Sequence, residues 1–139
     1  MSLTIKDNTD EFLSAFEKAL ENGLTAIGMT AEGHAKRKIT SYPAVDTGRL
    51  RNSITFAISG EKANTTTYTD NNKGVYNYSG TAPDDKEKAV YIGTNVEYGK
   101  HVELGTSKME ARPFLKPAAT EHSEEYKRIM EAALKSAGL

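Results

Sequence analysis

From Thr9 to Thr40 the apolar residues Phe12, Phe16, Leu20, Ile27, Ala31 and Ile39 recur near a 3.6-residue period, which predicts one long α-helix. Thr9, Asp10 and Glu11 open it with capping oxygens and with negative charge suited to the positive end of a helix dipole. At 1.5 Å per residue the helix would run to roughly 45 Å. A small core does not need that length, so one end is expected to project or to be broken. Gly23, Gly28 and Gly33 interrupt it, each costing about 1 kcal/mol relative to alanine. Their spacing does not keep them on one face. They read either as local bends or close packing, or as a point where another helix crosses. Pro43 closes the helix, because the residue before proline resists helical geometry and proline has no N–H to donate.

Beyond Pro43, Asp46 or Thr47 can cap one short helical turn that Leu50 would dock on the core. Ser53–Ser59 then alternates, with Ile54, Phe56 and Ile58 on one side, and reads as a half-buried strand. Gly60–Lys88 is polar. Its runs Thr65–Tyr68 and Val75–Tyr78 suggest two strands, with Asn71, Asn72 and Gly74 supplying a hairpin turn. Such a hairpin has little apolar surface, so a flexible arm that orders on assembly is expected there. Ala89–Thr94 is a compact strand around Val90, Tyr91 and Ile92. Val96–Gly105 reads as a bending, extended segment with Tyr98, Val102 and Leu104 on its apolar side. Arg112-Pro113 leads into a final helix whose stripe is Leu115, Ala119, His122, Tyr126, Ile129, Ala133 and Leu134. The predicted fold is α+β: a small antiparallel sheet packed against a long N-terminal helix and a C-terminal helix, in a single domain spanning 1–139.

Composition narrows the function. With 18 basic and 19 acidic residues the net charge is −1, so the chain as a whole offers no basic field for nucleic acid or membrane. The absence of cysteine removes disulfides, thiolate metal sites and thiol nucleophiles together. No signal-like apolar segment is present at the N-terminus, and a soluble protein made in the cytoplasm is expected.

Candidate chemistry is sparse. His101-Val102-Glu103 would place an imidazole and a carboxylate on one side of an extended segment, yet nothing nearby completes a metal ligand set. His122 falls on the apolar stripe of the last helix, where it reads as a packing residue. His34 sits among cations near the C-terminal end of the first helix. Gly93, Gly99 and Gly105 do not form a phosphate loop, and no serine or threonine has a placed base. Catalytic residues, cofactor ligands and metal ligands are therefore not assigned. Lys36, Arg37, Lys38, Arg49 and Arg51 cluster in sequence, either as a surface facing DNA or as a solvated, dipole-matched helix end. Glu103 and Arg112 flank the 105–109 loop and are candidates for an ion pair across it.

Three stretches, taken in order, carry a family resemblance: Val45–Ile54, Ile92–Asn95 with Tyr98–Thr106, and Ala111–Ala118. Together they resemble the lambdoid-type tail-completion, or head-to-tail joining, proteins of long-tailed bacteriophages and prophages. The resemblance implies a tail-terminator-like α+β fold and a non-enzymatic virion component, without cofactor, at the neck between tail tube and head connector. It also implies assembly into a ring, commonly of six. The motif positions it points to are Asp46, Gly48, Arg49, Leu50, Tyr98, Glu103, Gly105, Arg112, Pro113 and Phe114, as interface or fold residues. The Gly60–Lys88 excursion is long for the family. Competing readings are a minor capsid or tail-assembly factor elsewhere on the particle, a small nucleic-acid-binding protein using Lys36 to Arg51, and a metal hydrolase around His101 and Glu103.

Overall fold

The computed structural model describes residues 3, 7–42, 47–61, 66–69, 75–78, 81–84 and 87–139. The predicted Pro43 terminator, the Asp46 cap and the Asn71, Asn72 and Gly74 turn lie outside these residues. Helix α1 covers Thr9–Ser41, α2 Thr47–Ser53, β1 Thr55–Ile58, β2 Thr66–Thr69, β3 Val75–Tyr78, β4 Val90–Gly93, α3 Gly99–Leu104, α4 Leu115–Thr120 and α5 Ser123–Ser136. The α+β class read from the pattern is the class observed.

The long helix forms where predicted, though its first turn is capped from outside. The Asp7 carboxylate accepts the Thr9 N–H at 2.9 Å and also the Thr9 hydroxyl. Those two bonds, the hydroxyl first, hold the Asp7 carboxyl below the usual range. At the other end Tyr42 turns to extended backbone, and the Lys38 ammonium sits 5.6 Å from its ring centroid.

Two antiparallel pairs form among the described residues. β1 pairs with β4 in the register Thr55↔Gly93 to Ile58↔Val90, and β2 pairs with β3 from Thr66↔Tyr78 to Thr69↔Val75. The base of the 60–88 excursion is tied by Gly60 N–H to Pro83 O at 3.0 Å and Ala82 N–H to Glu61 O at 2.9 Å. α1 lies across β1 and β4, and is covered further along by α4 and α5. The core is Ala35 and Ile39 of α1, Leu50 of α2, Ile54, Val96, Val102 of α3, Phe114 and Ala118 of α4.

The glycines of α1 explain how it packs so closely. A Cβ at Gly28 would lie 2.3 Å from the Phe56 ring, and one at Gly23 would lie 2.6 Å from Met130 Sδ on α5. Close packing is therefore the answer at both positions, and the helix that crosses at Gly23 is the chain's own α5.

Four expectations are corrected. Residues 99–104 are helical rather than extended: Gly99 N–H closes a turn on Val96 O, Val102 N–H bonds Tyr98 O, and Gly105, at φ 77°, ends the helix. In that helix Val102 turns inward while Leu104 is 67% exposed, so Leu104 does not belong to the apolar side assigned to it. The single C-terminal helix is two, separated at Glu121–His122, where His122 has the non-helical angles φ −126° and ψ 29°. The N-terminal end of α1 is the one left uncovered, in keeping with a helix longer than the core needs: Phe12 is 55% exposed and Phe16 38%. Finally, no Glu103–Arg112 ion pair forms among the described residues, because Glu103 is engaged elsewhere.

Candidate functional site

The motif residues converge on one construction around Phe114, which is fully buried with Leu50 of α2. Gly99 is forced by proximity: a Cβ there would stand 2.7 Å from Thr94 Cγ2 and 3.2 Å from Leu50 Cδ1. Gly105 is forced twice, by its positive φ and by the Ala111 backbone nitrogen 2.7 Å from where a Cβ would sit. Thr106 N–H then bonds Met109 O at 2.8 Å, and Arg112 N–H returns to Val102 O at 2.7 Å. The 105–112 loop is thus folded back onto α3.

Glu103 holds the next step. Its Oε2 accepts the N–H groups of Phe114 and Leu115 at 2.6 and 3.2 Å, and its Oε1 accepts that of Lys116 at 2.8 Å. These N–H groups begin α4 and would otherwise lack partners, so one carboxylate from α3 caps a helix eleven to thirteen residues further on. On the other side Tyr42 O–H donates to Pro113 O at 2.8 Å, tying the end of α1 to the same step. Buried Ser53 donates to Leu50 O at 2.6 Å and is hydrogen-bonded to the Thr94 hydroxyl, which also accepts Val96 N–H.

Leu50, Tyr98, Glu103, Gly105, Arg112, Pro113 and Phe114 are therefore brought into one continuous unit, while Gly48 accepts the Asn52 side-chain amide within α2 and Asp46 lies outside the described residues. Arg49 reaches the same unit from α2. Its guanidinium meets both Glu97 oxygens at 3.0 and 3.1 Å and lies 5.6 Å from the Tyr98 ring centroid. The Glu97 carboxyl is held below the usual range by its own backbone N–H and by Arg49. None of these groups forms a nucleophile–base pair; Glu103 is engaged by backbone N–H groups, Arg49 by Glu97, and Leu50 and Phe114 pack the core.

The predicted DNA-facing cations lie in the last turns of α1 and on α2. Lys36 pairs with Glu32 at 3.6 Å, Arg37 donates to His34, Lys38 lies against Tyr42, and Arg51 is exposed in the last turn of α2. His101 is exposed on α3, and Glu103 is committed to α4, so the two do not form a joint site.

A cluster that the sequence reading missed joins α1 to α5. The rings of His34 and His122 stack with centroids 3.5 Å apart and planes 5° apart. Arg37 donates to His34 Nδ1 at 2.9 Å, which leaves the proton on Nε2 to be donated to Glu125 at 2.6 Å. That bond is the chief reason the Glu125 carboxyl sits below its usual range. Beside it Tyr126 donates to Ala118 O, and burial pushes its phenol upward. The His34, His122 and Glu125 ligand atoms lie within 4.8 Å of one another, close enough for metal ligands by distance alone. Parallel imidazole planes do not aim their lone pairs at a common point, however, and both nitrogens of His34 are already hydrogen-bonded. The arrangement clasps two helices. The signal available beforehand was the His122, Glu125, Tyr126 spacing on one helix face, matched by His34 and Arg37 on another.

The family model described as "Bacteriophage HK97-gp10, putative tail-component" matches residues 4–105, well over half of the chain. The chain belongs to this family. As an HK97-gp10-like protein it is a phage tail component, with a structural role in the tail and a place in the virion. Two of the three motif stretches, around Val45–Ile54 and Ile92–Thr106, fall within or reach the end of the matched region, whereas Ala111–Ala118 lies beyond it. No individual curated protein and no solved structure matches significantly. No helix among the described residues is long and apolar enough to cross a membrane.

Proposed function

We propose that this HK97-gp10-like protein is a non-enzymatic component that completes the tail and joins it to the head at the neck, acting as a ring of identical subunits around a passage for DNA. Six copies is the number implied by its resemblance to tail-completion proteins. The whole chain acts as one domain, made in the host cytoplasm and incorporated into the particle, with the 60–88 excursion as an arm reaching a neighbouring subunit. An arm of paired strands can extend a neighbour's sheet edge through backbone hydrogen bonds. Contact with DNA is non-specific and weak, because Lys36 and Arg49 are already paired with carboxylates within the chain.

The observation that carries this reading is the use made of the motif residues. In a member of a phage tail family, the described ones build a core step around Phe114 and Glu103, whose carboxylate is engaged by three backbone N–H groups. The test is deletion of the gene in its parent phage or prophage, followed by electron microscopy of the induced lysate. Filled heads beside separate or malformed tails are expected. Normally joined particles would overturn the neck assignment, and a defect confined to the capsid would move the protein to the rival role of minor capsid factor.

A further inference from the structure

The start of α1 is bare. α5 covers α1 at Gly23 through Met130 and Ala133, but towards the N-terminus Phe12, Leu13 and Phe16 stand 55, 49 and 38% exposed. Phe12 and Phe16 are one helical turn apart with stacked rings, centroids 6.3 Å apart, and so form a double aromatic knob. Asp10 and Glu17, three residues before and four after Leu13, flank its side of this patch.

Elsewhere on the chain lies an open groove of about 370 Å³ lined by Ile27, Ala31, Val90, Ile92, Leu115 and Tyr126, with the cation Lys116 also in its wall. A cavity of about 150 Å³ holds one benzene, so this groove has room for two phenyl rings. Knob and groove cannot meet within one chain, because both are set on the same helix. Fifteen residues of α1 separate Phe12 from Ile27, which holds them roughly 22 Å apart.

We infer that the Phe12–Phe16 knob of one copy docks in the groove between α1, β4 and α4 of a second copy. Asp10 and Glu17 flank the Leu13 side of the knob and Lys116 lies in the groove, so the charges there are opposite. The two patches differ, so the contact is heterologous, the type that generates rings when its rotation closes. This rests on the ring reading above and names the surfaces that would make the ring.

The chain has no cysteine, so single introduced thiols report contacts without background. Leu13→Cys sits beside the knob and leaves both phenylalanines in place, and Ala119→Cys sits in the groove wall. The two single variants are mixed as full chains, concentrated and oxidised. They are also incorporated together into particles by complementing the deleted gene. A disulfide between the two variants is expected, with little self-linking of either, and it should weaken at least tenfold when Phe12→Ser and Phe16→Ser are added. Self-linking of Leu13→Cys alone would overturn the groove assignment in favour of a knob-to-knob contact. Particles that carry a ring yet give no mixed disulfide would overturn the docking inference and leave the ring reading standing. Particles with no ring and no mixed disulfide would remove both.

Discussion

The two ends of α1 share one apolar period and have opposite fates. From Gly23 to Ile39 the helix is crossed by α5, lies over β1 and β4, and contributes Ala35 and Ile39 to the core with no exposed surface. From Thr9 to Glu17 it carries larger apolar side chains, Phe12, Leu13 and Phe16, and leaves them in solvent. The covered end uses alanine and glycine because other elements come within van der Waals contact of its axis, while the bare end keeps the bulk that a partner would cover.

The sharpest break of this contrast is to truncate each end. Ile39→Ala should cost about 2–5 kcal/mol, the range for emptying a packed aliphatic site. Phe12→Ala should fall within about 0.5 kcal/mol, as for exposed positions without special roles. Equal losses in urea denaturation would mean that Phe12 is covered in the free protein. Next comes Gly28→Ala. The added methyl meets the Phe56 ring and Val90, and an overpacking cost of about 1–3 kcal/mol outweighs the gain of roughly 1 kcal/mol in helix propensity. A lowered melting temperature is expected, and a raised one would show that β1 can retreat.

These predictions show what was legible and what was not. The extent of α1, the four strands, the β2–β3 hairpin and the presence of Leu50 in the core followed from period, turn residues and caps, while the pairing of β1 with β4 did not. Burial along α1 did not, because periodicity marks the face that could be covered but not the length of what covers it. The six-residue α3 was misread since so short a helix gives less than two turns of pattern, and Gly99 and Gly105 at its edges resemble loop punctuation. Glu103 and His34 were visible as residues, while their roles depend on α4 and α5 folding back from distant parts of the chain. The Arg112 partner was sought for its charge, whereas three unsatisfied backbone N–H groups were the stronger demand on Glu103.

Gly23→Ala should have a smaller effect, within about 1 kcal/mol of zero. Its intruding neighbour is the flexible end of Met130, which can move, unlike the Phe56 ring at Gly28. A loss as large as that of Gly28→Ala would show that α5 is fixed as firmly as the sheet. The smallest effect concerns the clasp between the covered part of α1 and α5. The His34 bond lowers the Glu125 carboxyl, so its stabilising contribution is present above the ordinary carboxylate range and is lost as pH falls through the lowered value. Glu125→Gln should therefore melt slightly below the parent near pH 7. The gap should close on acidification and shrink with added salt, as followed by circular dichroism. A gap that persists in acid would point to packing rather than charge.

The crossing of α5 at Gly23 also makes α1 a lever. Fourteen residues separate that fulcrum from the tip at Thr9, an arm of roughly 21 Å. A tilt of about 10° there would sweep the tip through nearly 4 Å, about the thickness of a side-chain layer. Small adjustments where α5 crosses are thereby magnified at the far end.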